Sequence, residues 1–238
     1  MIPLDDQGDW FRYHHLFQAI LQNELNRRFS ADEIAIMHCR ASDWFARNGL
    51  LEEAVHHALA AQNLDLAAQL VEEQRIDLLG QQQWLRIQNL LKLFPQDFLG
   101  QCVSLLSLKA LVFCYSYNFD ALLPTLKQVE YLLTRTDHKM SDQLRMVVES
   151  ELALMWGFIY FWSADGARSL EKLNQAVEIV PTNHTFVYGH AVQFQILVYQ
   201  MVGRYREALE LAERAHGNVA KNGQYYLARI QKIGRAHV

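Results

Sequence analysis

Proline and glycine are scarce in this chain, four and eleven among 238 residues. A fold of many short strands needs such punctuation about every 8–12 residues, so a large sheet is excluded. Cysteine is scarcer still. Cys39, Cys102 and Cys114 are scattered, odd in number and form no CxxC pair. That argues against a disulfide framework and for a reduced, cytoplasmic setting. Neither sign of charge dominates: 22 Lys and Arg face 26 Asp and Glu, for a net charge of −4. Without a basic run, the chain carries no nucleic-acid or anionic-membrane surface of its own. Its apolar stretches are broken by charged residues well before the ~18 needed to span a bilayer, and the N-terminus lacks a charged start followed by an apolar core. GxxxxGK[ST], GxSxG and HExxH are all absent. No catalytic or metal-ligating set is therefore expected.

What is present is helix. The chain is 51% hydrophobic, ample for a core, and the apolar residues fall at helical intervals. Over Arg12 to Arg28 they are Tyr13, Leu16, Phe17, Ile20, Leu21 and Leu25,. Ser30-Ala31-Asp32-Glu33 has the form of a capping box, and Asn48-Gly49 closes the helix it opens,. Further helices are expected around Ala54–Leu59, after Asn63, over 83–94, and roughly over 101–115, 119–136, 140–163, 167–180, 184–202, 205–221 and 223–232, about eleven in all. Strand content is expected only in the first ten residues, where Met1 to Asp9 reads as a strand and turn without a nearby partner strand.

A repeat emerges from two turns. Gly49-Leu50-Leu51-Glu52-Glu53-Ala54 and Gly203-Arg204-Tyr205-Arg206-Glu207-Ala208 share a Gly, a large apolar residue two later and an Ala five later. In tetratricopeptide repeats this marks the turn of a helical hairpin. Gly49 and Gly203 permit the turn, Leu51 and Tyr205 fill the gap between helices, and Ala54 and Ala208 let the helices approach. Asn63 with Ala68 is a weaker copy, and Pro181 ends a helix after Ala176. The two good copies lie 154 residues apart, room for about four units of roughly 38 residues,. The expected fold is all-α, an α-α superhelix of tetratricopeptide-like hairpins. Such a stack has a concave groove suited to a peptide, a partner helix or a small ligand.

Other conspicuous residues have plainer readings. His56-His57 and His14-His15 are adjacent, so each pair diverges by about 100° on a helix and cannot easily serve one site. His38 could face a partner across a hairpin. The cluster Trp156, Phe158, Tyr160, Phe161 and Trp162 with Tyr115 and Tyr117 reads as packed interior rather than a ligand groove,. Glu52-Glu53 and Glu72-Glu73 read as solvated faces.

Two segments carry a family resemblance: Gly8-Asp9-Trp10-Phe11-Arg12-Tyr13-His14-His15-Leu16-Phe17, and the run from His38 through Trp44-Phe45-Ala46-Arg47-Asn48-Gly49 to Ala61. Together they resemble the large ATP-dependent LuxR-type transcriptional activators, the group that includes the bacterial maltose-regulon activator. The resemblance is dense over roughly residues 3–75 and fades beyond. It implies a signal-transduction ATPase in which a P-loop domain, a helical domain, a winged helix, a helical-repeat sensor and a LuxR helix-turn-helix follow one another. On that basis residues 1–29 end a winged helix and residues 30–232 begin the sensor arm. Residues 233–238 read as the translation of a common sequencing adapter and are expected to be an artefact. The fragment would bind no cofactor itself, with ATP or ADP held by a domain preceding Met1. By resemblance, His14, and with it Arg12, would contact the phosphates of ADP in the resting state. The implied partners are a small-molecule inducer or protein ligand on the arm, further copies of the parent protein, and DNA through a C-terminal domain lying beyond this chain, with no membrane. The chain is then a regulatory segment rather than an enzyme. The alternative is a stand-alone tetratricopeptide scaffold for protein partners.

Overall fold

The computed structural model describes residues 2–3, 11–12, 15–135 and 140–219. Two short strands, β1 (Ile2–Pro3) and β2 (Phe11–Arg12), pair antiparallel, with Ile2 opposite Arg12 and Pro3 opposite Phe11. The first strand thus has a partner after all, and the expected start of the first helix at Arg12 gives way to it. Thirteen helices follow among the described residues: α1 His15–Arg28, α2 Ala31–Arg47, α3 Leu51–Ala60, α4 Leu64–Glu73, α5 Arg75–Gly80, α6 Trp84–Lys92, α7 Gln96–Leu99, α8 Val103–Tyr115, α9 Phe119–Thr134, α10 Asp142–Trp162, α11 Gly166–Ile179, α12 Thr185–Met201 and α13 Tyr205–Val219. The fold is all-α and built of successive helical hairpins. Two helices, α5 and α7, were not expected. At six and four residues they are too short for periodicity to register,. The helix expected over 223–232 lies outside the described residues, as does the segment 233–238.

Local sequence explains where helices begin. Ser30 accepts from the Glu33 amide at 3.3 Å while the Glu33 carboxylate accepts from the Ser30 amide at 2.8 Å, closing the capping box of α2. Asn63, Asn118, Ser141 and Asp165 accept in the same way from the backbone three residues on. Each satisfies one of the amides that a helix start leaves without a partner.

Where helices end, one turn recurs six times. Gly49, Gln62, Gln82, Tyr117, Ala164 and Gly203 all have φ between +54° and +78°. Each donates to the carbonyl three residues back, and the next residue donates to the carbonyl five back: Gly49 to Ala46 and Leu50 to Phe45, or Tyr117 to Cys114 and Asn118 to Phe113. This is the Schellman closure of a helix. The residue five after the left-handed position is buried every time: Ala54, Ala67, Ile87, Leu122, Ser169 and Ala208. The weak copy is therefore centred on Gln62 and Ala67, one residue before Asn63 and Ala68. Leaving out Gln62, the turns stand at 49, 82, 117, 164 and 203, at intervals of 33, 35, 47 and 39 residues. Three of these five hold a side chain in the left-handed position, so a search for Gly followed by Ala detects only the first and last.

The chain divides into two compact units, residues 1–71 and 72–238. In the first, α2 and α3 form a close hairpin. Leu51, Ala54, Val55 and Ala58 are buried along α3, and the buried Ser42 hydroxyl donates to the Ala54 carbonyl at 2.8 Å. In the second unit, α8, α10 and α12 pack side by side, and each is backed by the helix that follows it. Leu105, Leu108, Leu111, Leu122, Leu126, Val148, Met155 and Leu173 are fully buried there. Each such aliphatic side chain contributes about 1.5–3 kcal/mol by leaving water. Helix α6 lies against α8, and α5 reaches α12.

Candidate functional site

The second unit buries charge at its centre. Arg75, at the start of α5, is 2% exposed. Its Nε donates to Glu151 Oε1 at 2.8 Å and its Nη2 to Glu151 Oε2 at 2.6 Å, a bidentate fork onto α10. Its Nη1 donates to both Glu72 oxygens at 3.1 Å and to the Ser104 carbonyl on α8 at 2.9 Å. Glu151 is fully buried and also accepts from the Ser107 hydroxyl at 2.7 Å. His184, the buried N-cap residue of α12, brings Nε2 within 3.2 Å of Glu151 Oε1. A carboxylate can only accept, so that nitrogen carries a proton. Among the described residues, His184 Nδ1 has no partner.

The electrostatics follow from this packing. Burial opposes ionisation of Glu151, but the Arg75 guanidinium and the donated hydrogen bonds outweigh it and hold the carboxyl at about 2. Burial likewise opposes the charge on Arg75. The two carboxylates overcome it and raise the guanidinium further. The cluster binds the end of α4, α5, α8, α10 and α12 at one point. It offers no exposed nucleophile, so its chemistry is that of a fastener between helices.

An aromatic layer adjoins it. Phe186 lies 6.4 Å from the His184 ring and 4.3 Å from His190, centroid to centroid. Trp84 of α6 stacks on Tyr115 of α8 at 4.6 Å and meets Phe186 edge-on at 5.6 Å. The aromatic residues grouped together in the sequence are thus divided. Tyr115 belongs to this layer. Tyr117 and Trp162 surround Phe158 with Phe119 and Phe194. Trp156 and Tyr160 stack on each other, with Arg168 over Tyr160. Packed interior describes Phe158, which is buried. Tyr117, in the turn between α8 and α9, and Trp162, the last residue of α10, are 60% and 56% exposed.

The residues singled out in the sequence fall as follows. Gly49 and Gly203 have φ of +74° and +78°. Leu51, Ala54 and Ala208 are buried. Tyr205, expected between helices, is 67% exposed, because among the described helices α13 has its main contact with α12 and the ring lies outside it. Arg12 lies on β2, its side chain outside the described residues, and His14 lies outside them altogether. Glu72 is not a solvated residue but a partner of Arg75. Arg75, Glu151 and His184 were missed. The available signals were Glu72 three residues before Arg75, and Glu151 at the head of the apolar run that fills the rest of α10. Cys39, Cys102 and Cys114 are free thiols, and burial pushes Cys114 well up. Among the described residues no three His, Cys, Asp or Glu side chains group as a metal site, and no helix is long and apolar enough to cross a membrane.

Fold and cluster define the chain as an all-α helical-repeat protein fastened by buried charge. Comparison with known proteins adds that residues 1–33 match the MalT winged helix domain. The chain is also similar to the serine/threonine-protein kinase PknK of Mycobacterium tuberculosis, strains CDC 1551 / Oshkosh and ATCC 25618 / H37Rv, and of Mycobacterium bovis. Each is 46% identical over 74 residues, which is 31% of this chain and 7% of the relative. The aligned segment therefore spans only a small fraction of those relatives. No solved structure matches.

Proposed function

We propose that this chain is a regulatory segment of a MalT-like, ATP-dependent LuxR-type regulator, in which a winged helix passes directly into a helical-repeat arm that relays ligand binding to a nucleotide-binding domain upstream. The observation carrying this reading is the winged-helix match over residues 1–33, whose last residues already open α2 through the Ser30–Glu33 capping box. Stacked hairpins suit an arm, since each contacts mainly its neighbours and strain can pass along the stack. The buried Arg75–Glu151 fork would make α5, α8, α10 and α12 move together. The similarity to PknK favours a second reading, in which the same arm serves a serine/threonine-protein kinase. The test is to read the coding sequence before Met1. A GxxxxGK[ST] loop ahead of the winged helix is expected. A protein-kinase domain there would select the second reading, and the absence of both would leave a tetratricopeptide scaffold.

A further inference from the structure

One pair of side chains in the first unit is used by neither the fold's core nor the relay. His38 on α2 and His57 on α3 face each other across the hairpin, with their Nδ1 atoms 2.8 Å apart and their ring centroids 5.0 Å apart. Phe45 stacks on His57 at 5.2 Å and 16°, covering one face of the imidazole, and the pair is half-buried. Two ring nitrogens this close require that one donate a proton and the other offer a lone pair. Two neutral rings of opposite tautomer satisfy that requirement. One imidazolium and one neutral ring satisfy it better, through a charge-assisted bond. Two imidazolium rings cannot, because both nitrogens then carry hydrogen and like charge.

We propose that His38 and His57 form a proton-sensitive clamp between α2 and α3, closed while the pair holds at most one extra proton and opened by the second. The clamp sits where opening would matter. Ala54, one turn before His57, and Ala58, the next residue after it, are buried in the hairpin, and Ser42, one turn beyond His38, is bonded to the Ala54 carbonyl. The surrounding charges do not cancel the effect. On α3, His56 adds to the repulsion, while Glu53, one turn back, opposes it. Desolvation, His38 and His56 together outweigh Glu53 and lower the basicity of His57. On α2, Arg40 lies two residues from His38, about 200° round the helix, and Asp43 is bonded to Arg47 at 2.8 Å. On α1, Glu24 is engaged by Arg27 and Arg28.

The experiment is a titration of the 238-residue chain, following the imidazole nitrogens and the amides of Val55 and Ala58 by NMR and hydrogen exchange. The second proton is expected to enter below the ordinary histidine value of ~6.5, because burial and the neighbouring rings disfavour it,. Over the same range, amide protection in α3 should fall about tenfold or more, after correction for intrinsic exchange. His38→Gln should abolish that pH dependence and move the His57 titration back toward the ordinary value. The proposal is overturned if both rings become charged while α3 protection stays constant, which would mean the rings merely swing apart. It is equally overturned if His38→Gln leaves the pH dependence unchanged.

Discussion

Arg75 carries the buried positive charge that joins α5 to α8 and α10 in the second unit. Arg75→Met would leave Glu151 charged, buried and facing only Ser107 and His184, at a cost of about 3–5 kcal/mol. Replacing both, Arg75→Met with Glu151→Leu, should restore most of that loss, because the desolvation of two ions disappears with them. Urea unfolding of the three proteins checks both expectations. The same pair sets an acid limit. The folded-state value of Glu151 is depressed, from 4.5 to about 2. Its stabilising contribution is therefore fully present above about pH 4.5 and is lost as the pH falls through about 2. Glu151→Gln should flatten the stability profile across that window, as read from thermal midpoints.

At the scale of the element, the six left-handed turns make opposite predictions for glycine and for other residues. A Cβ added at Gly49 or Gly203 meets nothing within 4 Å, so space is not the obstacle. The φ angle is: Gly49→Ala and Gly203→Ala should each cost about 1–2 kcal/mol. Gln82→Gly relieves the same strain while loosening the unfolded chain, and should change stability by less than about 1 kcal/mol. Five residues on, Ala54→Phe or Ala208→Phe should cost about 1–3 kcal/mol through overpacking between the paired helices. Denaturant midpoints across this set distinguish strain at the turn from crowding beside it. Because Ile87 and Leu122 occupy the equivalent place in other hairpins, the shared requirement is burial, and small size belongs to particular hairpins.

For the whole molecule, one prediction concerns the chain itself and one the regulator of which it is proposed to be a segment. The chain has no P-loop sequence, so isothermal calorimetry should detect no micromolar ATP binding to it,. If the chain is the arm of the regulator proposed above, an inducer could shift that regulator's resting equilibrium only by binding one state better than the other. If His14 holds the ADP phosphate, His14→Ala should raise inducer-free transcription roughly ten- to a hundredfold, the equivalent of one lost charge-assisted contact of about 1.5–3 kcal/mol. A reporter strain lacking inducer measures this. Reduced or unchanged basal expression from a folded protein would assign His14 a structural role.

What the sequence determined by itself is local. The spacing of apolar residues located all the longer helices to within a few positions, and Ser30 with Glu33 announced a cap that forms as written. These features act within one or two turns of backbone, so neighbouring residues suffice to specify them. The tertiary structure alone decided the rest. Arg75, Ser107, Glu151 and His184 meet from positions scattered over more than a hundred residues, and His38 meets His57 only because α2 and α3 pack face to face. Gln82, Tyr117 and Ala164 take left-handed backbone because burial of the helices on either side outweighs a local cost of about 1–2 kcal/mol,. No local pattern records that balance, since the energy that settles it comes from contacts with distant parts of the chain.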